Sequence, residues 1–154
     1  MDAAADLRQA HRTSAVLAGS FIMSLVMYGV VANIFRLTQP TFEGFVRLPD
    51  PAPVRYALWS AALAVTAAVP VLRRRLLTKS MSDNRGALIR KLQTSTVVTG
   101  GIAEVPALLG FILVALNGLY VDFYLLAALS LVLMLAFPRY QAWEDWIREP
   151  PPRP

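Results

Sequence analysis

From Thr13 to Phe35 the chain carries no charged residue, and an uncharged run of that length has few places to go. As a helix it covers roughly 30 Å, the thickness of the hydrocarbon core of a bilayer. It is too long for the apolar region of a secretory signal, roughly 7–15 residues, and no small-residue cleavage site follows it, so it reads as a retained first span. Three more runs follow: Tyr56–Leu72, Leu92–Leu116 interrupted only by Glu104, and Leu119–Phe137 with Asp122 near its start. Hydrophobic residues make up 56% of the chain and charged ones 16%, against about 45–50% and about 25% in soluble domains. A soluble bundle needs a polar face on each helix, and the first and fourth runs have almost none. The expected fold class is an all-α membrane protein, one domain over 1–154 with four transmembrane helices.

Orientation follows from the loops, because cytoplasmic connections collect Lys and Arg. With both termini inside, twelve basic residues are cytoplasmic: Arg8 and Arg12, then Arg73, Arg74, Arg75, Lys79, Arg85, Arg90 and Lys91, then Arg139, Arg148 and Arg153. Three remain outside, Arg36, Arg47 and Arg55. This asymmetry implies a bacterial-type plasma (inner) membrane with cytoplasmic termini, and it accounts for the net charge of +5 without nucleic acid. Pro40, Pro49, Pro51 and Pro53 make the first outer loop extended, with Phe42 and Phe45 placed to dip into the interface. Asn117-Gly118 is a connection so short that spans three and four form a tight hairpin. In the tail, 139–154, Trp143, Trp146 and Ile147 share one side of a short amphipathic helix suited to the cytoplasmic interface. Trp143 and Trp146 are candidate contacts for partner subunits, and Pro150–Pro154 is expected to be extended.

Glu104 is the residue whose chemistry demands an explanation. An ionised carboxylate at mid-bilayer costs about 2.5–3.5 kcal/mol on insertion scales, so Glu104 is expected to be protonated, strongly hydrogen-bonded or facing water. Gln93, Thr96, Gly100, Glu104 and Ala107 share one helical face, and small residues there admit a neighbouring helix. Pro106 removes a backbone donor and frees the carbonyl of Ile102 beside Glu104. Candidate partners at similar depth are Ser24 (with Ser20 and Tyr28 on its face), Thr66 and Ser130, with Gln93 on the same helix. The triplet Arg73-Arg74-Arg75 is a candidate seat for anionic lipid headgroups.

The segment Asp83-Asn84-Arg85, then Leu92-Gln93-Thr94, then Gly101-Ile102-Ala103-Glu104-Val105-Pro106-Ala107 through Phe111 resembles the carboxylate-bearing helix of the rotary ATPase c subunit, or proteolipid. The resemblance implies that Glu104 picks up and releases a translocated proton or sodium ion, with Gln93 assisting in a sodium-binding site. The chain departs from that family in its alanine-rich second span, which lacks glycine, and in carrying its carboxylate in the third span.

No Ser/His/Asp or Cys/His set can be assembled from a chain with one histidine, His11, and no cysteine, and no cofactor or metal site is expected. Two readings remain open. The first is a non-enzymatic subunit of a larger membrane complex, in contact with lipids and other membrane subunits, with Glu104 as a polar tie or local proton site. The second is an ion-translocating subunit in the manner of the c proteolipid.

Overall fold

The computed structural model describes residues 3–39, 42–46, 49–80, 83–136 and 140–149, with side chains from residue 6 onward. Five helices follow in order: α1 Ala3–Thr38, α2 Ala52–Leu76, α3 Arg85–Asn117, α4 Tyr120–Leu135 and α5 Tyr140–Arg148. Three of them, α1, α2 and α3, are each long and apolar enough to cross a membrane. The 16 residues of α4 rise only about 24 Å, and a fourth crossing is reached by taking α4 and α5 as one bent span. The described residues form an all-helical chain with three to four candidate membrane spans, consistent with a helical membrane protein.

The helix ends have local causes. Asn84 sits in extended conformation ahead of α3 and accepts from the N–H of Ala87 at 2.9 Å, satisfying one of the orphan donors of the first turn. At the start of α2, Asp50 accepts from the N–H of Ala52 at 3.0 Å, ahead of Pro53, whose missing N–H is harmless in the first turn. α3 stops at Gly118, which takes φ 64°, so that Gly118 and Leu119 donate back to Val114 and Leu113.

α3 is the central helix. α1, α2 and α4 all pack on it, and α5 touches its beginning. Leu7, Leu25 and Ala32 of α1 meet Leu92, Ala103 and Val114 of α3 in that order, so α1 and α3 run parallel. The small face expected on α3 is where packing is closest, with Ala103 and Ala107 buried beside Leu25 and Met134. Pro106 has no N–H to give, and at this break the N–H of Ala107 donates across to Ser130 Oγ on α4 at 2.9 Å.

Two segments differ from expectation. The loop after α1 is not a free extended strand: Phe45 and Val46 donate to the carbonyls of Ala115 and Leu116, capping the end of α3. Gly44, at φ 96°, makes this possible, since a Cβ there would lie 2.0 Å from the Leu116 oxygen. Phe42 stacks on Phe35 at a centroid distance of 5.4 Å, and Phe45 meets Phe35 edge to face at 5.7 Å. The second difference lies at the opposite, basic end. There α5 packs Trp143 into a cluster with Leu7, Ala10 and Leu92, so α1 continues ten residues before Thr13 because its first turns have an apolar partner. Pro150–Pro154, expected to be extended, lies outside the described residues.

Candidate functional site in the membrane interior

Glu104 lies twelve residues beyond Leu92 and twelve before Leu116, about 18 Å from either end of the apolar stretch at 1.5 Å per residue. It is only partly buried. Its carboxylate oxygen Oε1 accepts a hydrogen bond from the Tyr28 hydroxyl at 2.7 Å. Tyr28 is aimed there by its position on the inward stripe of α1 (Leu7, Ala10, Ser14, Leu25, Ala32) and by its ring, which lies 5.7 Å from that of Phe111. The pair joins two parallel helices at mid-span, and the partner is a neutral hydroxyl.

The other expected partners are occupied elsewhere. Ser24 Oγ donates to the carbonyl of Ser20, Thr66 Oγ1 donates to that of Ala62, and Ser130 Oγ serves the N–H of Ala107. Gln93 is eleven residues before Glu104 on the same helix, about 16 Å away along the axis, beyond the reach of both side chains. Hydroxyls in helices readily satisfy a carbonyl one turn back, which is why depth alone was a poor guide to partnership. Tyr28 lies one turn beyond Ser24 on α1, and the parallel packing of α1 on α3 brings its hydroxyl to Glu104.

A second polar cluster escapes the sequence reading altogether. Asp122, near the start of the fourth run, is buried in the first turn of α4. Its Oδ1 accepts from Trp59 Nε1 at 2.8 Å and from Arg55 Nε at 3.1 Å, with Arg55 Nη2 at 3.0 Å. Arg55 and Trp59 stand one turn apart on α2, so a single oxygen gathers both. An acid at a helix N-terminus is further favoured by the backbone dipole. The spacing of Arg55 and Trp59 was the available signal, but only the fold brings Asp122 to it.

At the basic end the cations divide into two groups. Lys91 donates to Asp83 Oδ2 at 2.6 Å and to the carbonyl of Thr78 at 2.9 Å. That ammonium, with the N–H of Ser80, holds the Asp83 carboxyl below its ordinary range. Lys79 donates to the carbonyls of Trp146 and Glu149 and stands 4.6 Å over the Trp146 ring, closing the end of α5. Arg73 and Arg74 instead line the mouth of a cavity of about 850 Å³ between the helices, and Arg75 does not line it. Trp143, expected to reach a partner subunit, is 1% exposed and spent on the chain's own core, with its ring 5.1 Å from that of His11. Trp146 is partly exposed and borders the cavity. Among the described residues no group of three His, Cys, Asp or Glu is placed to hold a metal ion.

Comparison with protein-family models, with curated proteins and with solved structures finds no match.

Proposed function

We propose that this chain is a non-enzymatic integral membrane subunit of a larger membrane complex. It crosses a bacterial-type plasma membrane four times with both termini in the cytoplasm. The observation that carries this reading is the Tyr28–Glu104 hydrogen bond, which gives the mid-span carboxyl a structural task, the tying of α1 to α3. Interhelical hydrogen bonds in membranes contribute about 0.6 kcal/mol on average and about 1.7 at most, which suits a tie. The outward faces support the rest of the reading. Met23, Val26, Val30 and Ile34 on α1, and Val121, Leu125, Val132 and Leu135 on α4, are exposed and apolar, as contact with lipid or with neighbouring membrane subunits requires. Placing the basic end in the cytoplasm follows the Lys and Arg distribution.

The test is native mass spectrometry of the protein extracted from its own membrane in mild detergent. Co-purification with different membrane subunits is the expected result, and a lone chain at every extraction condition would sink the proposal.

One observation favours a second reading, ion translocation in the manner of the c proteolipid. Tyr28 is an uncharged partner, and among the described residues no cation is paired with Glu104. A closed ring of many identical copies in the same experiment would favour this reading. It also requires that Glu104→Gln abolish ion transport, whereas a polar tie survives that change.

A further inference from the structure

The cavity at the basic end is walled by all four long helices. Phe21 stands on one side, Val69 and Pro70 on another, Ala103 at the back, and Met134 on the fourth. The hydroxyls in its wall are already used: Thr66, Thr96 and Thr99 donate to the carbonyls of Ala62, Leu92 and Ser95. An apolar cavity whose polar atoms are satisfied gives water little to bond and favours hydrocarbon. Its volume of about 850 Å³ falls within the roughly 300–1,000 Å³ of built ligand sites. α1 and α2 flank it, packed chiefly on α3 rather than on each other, which leaves a lateral cleft between them.

The mouth is chemically opposite to the interior. Arg73 and Arg74 border it, and among the described residues neither has an ion pair or a hydrogen bond through its side chain. Their neighbours Lys79 and Lys91 are committed to carbonyls and to Asp83, as described above. Two uncommitted guanidiniums over an apolar slot present the complement of an amphiphile with an anionic head, since guanidinium forks match phosphate geometry. Trp146 borders the same mouth, at the depth where indoles meet headgroups.

We propose that this cavity seats one anionic phospholipid, its phosphate between Arg73 and Arg74 and its upper acyl chains between α1 and α2 against Phe21, Val69 and Met134. The seat requires only that the chain be in a membrane. It does not depend on which complex the chain joins or on what Glu104 does.

The experiment is native mass spectrometry of the full chain, delipidated in detergent and then offered equal amounts of phosphatidylglycerol and phosphatidylcholine. One retained phosphatidylglycerol per chain is expected, favoured roughly tenfold or more over phosphatidylcholine, because each basic residue near an anionic headgroup adds attraction. The Arg73→Gln/Arg74→Gln variant loses that preference, while Arg85→Gln/Arg90→Gln, which removes the same charge away from the cavity, keeps it. Ala18→Trp, which fills the slot from the α1 wall with both arginines intact, lowers retention of phosphatidylglycerol. Equal retention of the two lipids, or a preference unaffected by loss of both arginines, overturns the proposal. So does retention indifferent to Ala18→Trp, which would place the lipid on the outer surface. Displacement by equimolar inorganic phosphate would assign the arginines to a free anion and also overturn it.

Discussion

Ser130 Oγ on α4 accepts the backbone N–H of Ala107 on α3, the first donor after Pro106, at 2.9 Å. Both residues are buried, and the bond stands beside the one that Pro106 deletes from α3. Ser130→Ala removes this interhelical bond from the bundle interior and is expected to destabilise the fold by about 1–2 kcal/mol. If the bond repairs what Pro106 deletes, Pro106→Ala in the same chain, which restores the N–H of residue 106, shrinks the effect of Ser130→Ala. A double-mutant cycle of unfolding in detergent reads the coupling. Additive effects would refute the repair.

Tyr28→Phe removes the donor to Glu104 and is expected to destabilise the α1–α3 contact by about 0.6–1.7 kcal/mol. Glu104→Gln keeps an acceptor oxygen for the same hydroxyl, and its stability should stay within about 0.5 kcal/mol of the parent. The pair of thermal or denaturant midpoints decides this, since a Tyr28→Phe variant as stable as the parent would mean that the hydrogen bond contributes nothing.

The Arg55–Asp122 pair is lopsided, with side chains 48% and 3% exposed. Removing the cation strands a buried carboxylate with only Trp59, whereas removing the carboxylate releases an arginine already half in solvent. Breaking a fully buried pair from one side costs about 3–5 kcal/mol, and the exposure of Arg55 reduces that figure here. Arg55→Ala is therefore expected to destabilise more than Asp122→Ala in the same unfolding assay, and the reverse order would contradict the burial of Asp122.

Asp83 supplies a pH dependence. Its carboxyl is held below the ordinary range by the Lys91 ammonium and then by the Ser80 N–H. A group depressed in the folded state contributes stability above its unfolded value, and this is lost as pH falls through the folded one. The melting temperature of the parent should exceed that of Asp83→Asn at neutral pH, and the difference should vanish in strong acid. A difference that persists there would rule out the ionised pair as its source.

Cysteine is absent from the chain, so single introduced thiols report topology without background. Arg85→Cys and Gln39→Cys lie at opposite ends of the bundle and are both exposed. An impermeant maleimide added to intact cells is expected to label Gln39→Cys alone, and labelling of Arg85→Cys alone would invert the orientation.

The runs that form α1, α2 and α3 are legible because an uncharged run such as Thr13–Phe35 has one low-energy environment, and the α3–α4 hairpin is legible because Asn117-Gly118 is so short a connection. Partner choice was hidden. Ser24, Thr66 and Ser130 carry the same hydroxyl chemistry, and each could be satisfied by a backbone atom nearer than Glu104. Trp143 looked like a surface anchor because amphipathicity shows that a face must be covered and not by what. The cover is Leu7, Ala10 and Leu92 of the same chain. Asp122 and Arg55 stand 67 positions apart, a separation that no local pattern bridges.

The cluster of Leu7, Leu92 and Trp143 sets an order on assembly. Its components come from the first helix, the middle helix and the last, so no nascent chain can complete it before all the long helices have been made. Until Trp143 arrives, Leu7 and Ala10 lack part of their cover. Trp143, the fourth residue of α5, thus closes a register opened by the first turns of α1, and a chain cut before α5 would keep α1, α2 and α3 yet lack its latch.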